Sequence, residues 1–192
     1  MVLEVDKEIV SRCKKYDKAA FSYLFHLYEK YLYKLCYGYT QNSSDAMDLV
    51  QEIYIKVFKN IKKFDLDFPF HPWIRRISVN TCLNFKRDKN SNVISLNSRY
   101  YNDEFEEESR VSLDYDMEED IVNKINNEVV RESIKKLTYD YRMIIMLRYY
   151  EDLSYDEIAK LLQMPMGTVK TKLYRAKGIL KKNLQANLEV KK

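Results

Sequence analysis

Three glycines and three prolines are all that this 192-residue chain contains. A β-rich fold of this size needs frequent tight turns, and those turns draw on both residues. Long stretches of helix-forming residues without breakers point instead to an all-α chain. A hydrophobic share of 46% is enough to bury a core, and the charged share of 32% is somewhat high. Cys13, Cys36 and Cys82 are odd in number and far apart, with no CxxC pair. They are expected as free thiols in a reducing compartment, neither a disulfide framework nor a zinc site. MVLEVDKEIV lacks the basic-then-apolar pattern of a signal peptide, and no run of about 18 apolar residues occurs. The expectation is a soluble, cytoplasmic protein.

Hydrophobic periodicity divides the chain. Phe21, Leu24, Phe25, Tyr28, Tyr31, Leu32 and Leu35 recur at helical spacing, and Gly38 with the polar run from Thr40 to Ser44 is read as the end of that helix. A second helix follows in DAMDLVQEIYIKVFKNIKKF, with Ser44 or Asp45 as its expected cap and Val50, Ile53, Tyr54, Val57, Ile61 and Phe64 as its buried stripe. DLDFPFHP breaks it, and WIRRISVNTCLNFKRDK begins a third long helix. Between residues 91 and 127 the period fades and the charge falls to −7, whereas residues 1–90 carry +5 and residues 128–192 carry +6. The middle is read as an acidic, flexible linker between two domains, 1–90 and 128–192.

In the second domain, DLSYDEIAKLLQ has Ser154 three residues before Glu157, a capping-box pattern. MPMG turns the chain and Pro165 is placed to open a second helix. That helix carries six basic residues and no acidic one between 168 and 182. Val169, Leu173, Ala176 and Leu180 form its buried stripe at about 100° per residue. Two short helices, a tight turn and a basic second helix make a helix-turn-helix. The first turns of such a helix enter a DNA major groove. Arg175 or Lys170 would reach guanine edges, Thr171 and Tyr174 thymine methyls, and Lys181 and Lys182 phosphates. Gly167 and Thr168 would offer backbone N–H groups to a phosphate.

A second stretch, DFPFHPWIRRISVNTCLNFKRDK, mixes aromatic, cationic and amide side chains. Phe68, Phe70, His71 and Trp73, followed by Arg75, Arg76, Asn80, Asn84, Lys86, Arg87 and Lys89, suit single-stranded nucleic acid, since rings stack on bases and amides read their edges. The same rings would serve equally to fill the core beneath a loop. With only His26 elsewhere, His71 suggests no metal site. Asp45, Asp48 and Glu52 share one helix face, either as an ordinary solvated surface or, with Gln51, as a docking face. No Gly-rich phosphate loop, Ser/His set or EF-hand spacing completes an enzyme site around them, so no cofactor and no small-molecule substrate is expected.

Four pieces in order carry a resemblance. DKAAFSYLFHLYEKYLYKLCYGYT resembles the opening helix of the extracytoplasmic-function sigma factors of bacterial RNA polymerase, and DAMDLVQEIYIKVFKNI is similar to their D-A-E-D-L-V-Q-E signature. FHPWIRRISVNTCLNFKR resembles their W-L-x-R-I-A-x-N segment, and LSYDEIAKLLQMPMGTVKTKLYRAKGIL their L-S-Y-E-E-I-A…P-x-G-T-V-K-S-R-L-x-R-A pattern. Met47, Gln163 and the Thr171–Lys172 pair depart from that pattern, which more often has Glu, Gly and Ser–Arg there.

The resemblance implies a two-domain, non-enzymatic subunit: an N-terminal helical bundle and a C-terminal helix-turn-helix domain. Asp45, Asp48, Leu49, Gln51 and Glu52 would dock on the clamp helices of core RNA polymerase, and the second domain would sit on its flap. Phe68, Phe70, His71, Trp73, Arg76, Asn80, Asn84, Lys86 and Arg87 would open and capture the −10 promoter strand. Gly167, Thr168, Lys170, Thr171, Tyr174, Arg175, Lys177 and Lys181 would read the −35 duplex. The acidic linker would pass through the active-site and RNA-exit channel. An anti-sigma factor, often at the inner face of the membrane, would hold such a protein inactive. The alternative is a helix-turn-helix regulator independent of polymerase; a nuclease using Asp45, Asp48 and Glu52 is a third, remoter reading.

Overall fold

The computed structural model describes residues 4–93 and 128–189, with backbone alone for 86–93, 128 and 187–189. Nearly all of it is helix, and no strand occurs among the described residues. The predicted linker falls outside them except for its first three residues, which continue a helix.

The first block comprises α1 (Lys7–Lys14), α2 (Lys18–Thr40), α3 (Ser43–Asn60), a 3-10 turn (Ile61–Lys63) and α4 (Phe70–Val93). Asp17 caps α2 through its side chain, which accepts from the backbone N–H groups of Ala19 and Ala20 at 2.9 and 3.1 Å. The helix runs through Gly38, against the expectation, and ends at Gln41, whose left-handed φ of 55° stops it. Gly38 has a different job. A Cβ there would come within 2.5 Å of Met146 Cε, so the thioether end of Met146 occupies the space a side chain would take. Because α2 ends so abruptly, the next extended residue is Asn42. It caps α3 in place of Ser44 or Asp45, accepting from Asp45 N–H at 3.0 Å.

α2 packs along α3, and α3 on α4. Leu24, Tyr28, Leu32 and Leu35 of α2 and Leu49, Ile53 and Val57 of α3 belong to one core and are all essentially unexposed. The ring of Tyr54 stacks on Phe25 at 4.1 Å, and its hydroxyl donates to the Phe25 carbonyl at 2.9 Å, so a half-buried polar tip is satisfied within the apolar seam.

The second block comprises α5 (Glu128–Lys135), α6 (Tyr139–Ile145), a wide π-type turn (Met146–Tyr150), α7 (Tyr155–Leu162) and α8 (Met166–Glu189). α5, α6 and α7 all pack on α8. Asn183 ties α8 to α5 by donating to the Ser133 carbonyl at 3.1 Å. The second block also lies against the first, α6 against α2, and the buried residues of both form one continuous core.

Candidate nucleic-acid and polymerase interfaces

The capping box expected at Ser154 is present. The Ser154 Oγ accepts from Glu157 N–H at 3.3 Å, and a Glu157 carboxylate oxygen accepts from Ser154 N–H at 2.8 Å and from its hydroxyl at 2.7 Å. These donors hold the Glu157 carboxyl below its ordinary range, the hydroxyl contributing most. α7 ends at Gln163 in the left-handed region (φ 53°), and Met164 N–H closes the turn on the Ala159 carbonyl at 3.0 Å. The Pro165 carbonyl then accepts from Thr168 and Val169 N–H, starting α8.

α8 presents the predicted two faces. Val169, Leu173, Ala176 and Leu180 are buried. Gly167, Thr168, Lys170, Thr171, Tyr174, Arg175 and Lys181 are exposed, Tyr174 by 70%. The Thr171 hydroxyl donates back to the Gly167 carbonyl at 2.9 Å, which commits its proton within the helix. Lys177 is not on this face. About 70° from the centre of the buried stripe, it lies half-buried with Nζ 5.5 Å from the centre of the Tyr149 ring. Lys172 is likewise committed inward, its Nζ 3.4 Å from an Asp140 carboxylate oxygen of α6.

The 65–73 stretch divides in two. Phe70 is buried against Tyr28, Phe64 and Trp73 with ring centres 5.3 to 5.5 Å apart, so it belongs to the core. Trp73 is half-buried beside Phe64 at 5.1 Å. Phe68 is 66% exposed. His71 is buried against the ring of Tyr31 at 4.8 Å. Arg76 and Asn80 are exposed one turn apart on α4, with half-buried Asn84 one turn further on. Lys86 and Arg87 lie on α4 where only backbone is described.

On α3, Asp48, Gln51 and Glu52 are exposed and Asp45 is half-buried. Glu52 pairs with Lys56 at 2.6 Å, and Lys56 also donates to Thr81 Oγ1 at 3.1 Å. Leu49 is 1% exposed and packs in the core, so it positions the helix and offers no contact surface. Its spacing of four from Ile53 already placed it on the inner face. Two exposed apolar residues, Met47 and Ile55, flank Gln51 at steps of four. Ile55 carries no charge to mark it, but its spacing of four from Gln51 places it on the same face.

One further contact joins the blocks. The Glu151 side chain, only 3% exposed, has one carboxylate oxygen 3.4 Å from Arg75 Nη1 and 3.8 Å from His71 Nε2. Nothing in the local sequence marked Glu151, since both partners lie some 80 positions earlier in the chain.

Two family models match the chain: Sigma-70 region 2 over residues 24–92 and Sigma-70, region 4 over residues 127–180. The ECF RNA polymerase sigma factor SigW of Bacillus subtilis is 31% identical over 180 residues, covering 93% of this chain and 96% of that protein. The ECF RNA polymerase sigma-E factor of Escherichia coli K12 is 31% identical over 185 residues, covering 94% of each. In fold, the chain is similar to the sigma factor RpoE of Bartonella quintana, solved with the anti-sigma factor NepR, at a TM-score of 0.61 and 20% identity over 86% of this chain and 96% of that one. It is also similar to CnrH, solved with the cytosolic domain of CnrY, at a TM-score of 0.56 and 19% identity over 94% and 97%. With region 2 and region 4 in order, and close to full-length identity above 30% to two such proteins, the chain belongs to the extracytoplasmic-function sigma factors.

Proposed function

We propose that this sigma factor docks on core RNA polymerase through the α3 face of Asp48, Gln51 and Glu52, captures the opened −10 strand with Phe68 and the outer stripe of α4, and reads the −35 duplex with α8. The observation that carries this reading is the α8 surface. Its outward positions from 168 to 182 hold cations, hydroxyls and one exposed tyrosine ring, without a single carboxylate. That surface follows a helix fixed at both ends, by the Ser154–Glu157 box at its start and by the left-handed Gln163 at its end, where the chain turns into α8. A groove carrying one phosphate charge per about 1.7 Å favours such a face, and its base edges can be sorted by Arg175, Lys170 and Tyr174.

The roles divide by chemistry. On α8, Lys181 and Lys182 hold phosphates, while Arg175 donates to guanine edges and Tyr174 lies against thymine methyls. On α4, Arg76 anchors the strand backbone and Asn80 and Asn84 read base edges, while in the loop before it Phe68 stacks on an unpaired base. The residues 91–127, at −7, thread the RNA path of the polymerase as an anionic tether. The protein works in the cytoplasm, and an anti-sigma factor, held at the inner face of the membrane, restrains it. Restraint by such a partner is supported by the similar fold of RpoE, solved with the anti-sigma factor NepR, and of CnrH, solved with the cytosolic domain of CnrY.

The α3 assignment is tested with Asp48→Ala combined with Gln51→Ala. The double variant melts like the parent but fails to co-elute with core polymerase at physiological salt. A lost thermal transition would make these residues structural, and unchanged co-elution would move the docking face elsewhere.

A further inference from the structure

The second block is fastened to the first at two separate places. One is apolar. The Tyr139 ring lies 5.2 Å from Tyr39 and 6.5 Å from Phe85, and Met146 fills the notch left by Gly38. The other is the contact of Glu151 with Arg75 and His71, which are on the first two turns of α4. Those turns belong to the segment read above as strand-capturing.

This ionic contact has the features of a fastening that can be undone. A carboxylate 3% exposed is stable only while its counter-charge is in place, because both ions have given up water. The contact is imperfect in geometry: Glu151 Oε1 and His71 Nδ1 are buried without a hydrogen bond of good geometry, even with the Tyr31 hydroxyl beside the carboxylate. An opened chain would hydrate both atoms, so closure carries a penalty that opening removes. Other charges sit close by. Glu157 feels the Arg75 charge, and Lys30, Lys34 and Asp152 line the same cleft. That cleft, about 1050 Å³, runs between the blocks past Phe68 and Tyr150, and Arg75, His71 and Glu151 are among its lining residues.

We propose that Glu151 is an intramolecular latch: by holding Arg75 and His71 it keeps the start of α4 closed against the second block, and a nucleic-acid strand must displace it. The proposal rests on the strand-capture reading of α4. Phosphate oxygens and the Glu151 carboxylate compete for the same guanidinium, so strand binding and closure exclude each other at Arg75. The apparent affinity for a strand is then reduced by the fraction of molecules that are closed.

Two variants of the full chain test this. Glu151→Gln keeps the side-chain volume and removes the charge. Gly38→Leu acts at the other fastening, on α2 and not on the strand-capturing helix, by driving a side chain into the place of Met146. Small-angle scattering and hydrogen exchange over residues 139–150 are measured without nucleic acid. Binding of a fluorescein-labelled, mixed-sequence single-stranded 12-mer DNA is then titrated. Both variants are expected to enlarge the particle, speed exchange in that segment and tighten oligonucleotide binding about 5-fold or more. A Glu151→Gln chain as compact and as protected as the parent would overturn the latch, the more so beside an opened Gly38→Leu chain. Chains that open while their oligonucleotide affinity stays flat would overturn instead the strand-capture reading on which the proposal rests.

Discussion

Phe68 and Phe70 stand two positions apart and face opposite ways: Phe70 lies 5.4 Å from Phe64 and is 5% exposed, whereas Phe68 is 66% exposed. The loop thus turns one ring into the core and offers the other to solvent, where an unpaired base can reach it. Phe70→Ala is expected to destabilise the fold by about 3–5 kcal/mol, the cost of removing a buried ring. Phe68→Ala should leave the thermal transition in place and weaken capture of single-stranded promoter DNA by about 1–3 kcal/mol. Urea denaturation and fluorescence anisotropy on the same two proteins separate these effects. A Phe68→Ala protein with normal strand binding would remove that ring from the interface.

On α8, Arg175 and Lys172 should behave differently despite their shared sign. Arg175→Ala is expected to cost about 1–3 kcal/mol on a cognate −35 duplex and less on a mismatched one. Lys172 is tied to Asp140, so Lys172→Met should lower stability by under about 1 kcal/mol, as for other partly exposed pairs. It should leave sequence preference untouched. Equal losses for Arg175→Ala on every sequence would show a phosphate contact only.

Ser154→Ala removes the α7 cap and should lower stability by about 0.5–2 kcal/mol near neutral pH. Because the folded Glu157 carboxyl titrates below its ordinary value of 4.5, its contribution is present above that value and lost as pH falls through the lower folded value. The variant should therefore show a shallower loss of stability in that acid window than the parent. Chemical denaturation at several pH values checks this, and parallel pH profiles would contradict it.

The three cysteines are buried, and burial pushes the Cys13 thiol up to about 11. The Cys82 thiol is also raised, by its hydrogen bond with Cys36 and then by burial. Since the thiolate is the reactive form, none should react with a disulfide reagent at pH 8 until denaturant is added. Reaction of even one equivalent with the folded chain would show that a helix seam opens readily.

Periodicity carried most of the fold. The α8 stripe of Val169, Leu173, Ala176 and Leu180 and the Ser154 capping box were legible because each is a spacing within one helix or its cap. The α3 cap was not legible, because Asn42 becomes the cap only where Gln41 ends α2 in a left-handed conformation. Lys177 belongs to the −35 set only through the family resemblance, which says nothing about the Tyr149 ring that receives it. Leu49 is in the docking set only through the family resemblance, and its own spacing from Ile53 puts it inside. Glu151 was out of reach altogether: its partners are distant in sequence, and only the packing of the second block on the first brings them together.

The most direct test is size-exclusion chromatography of the purified chain with bacterial core RNA polymerase at physiological salt, followed by transcription from a promoter library. A stable one-to-one complex that initiates at a two-part promoter is the predicted result. A folded, inhibitor-free chain that elutes apart from the polymerase and directs no initiation would contradict the account.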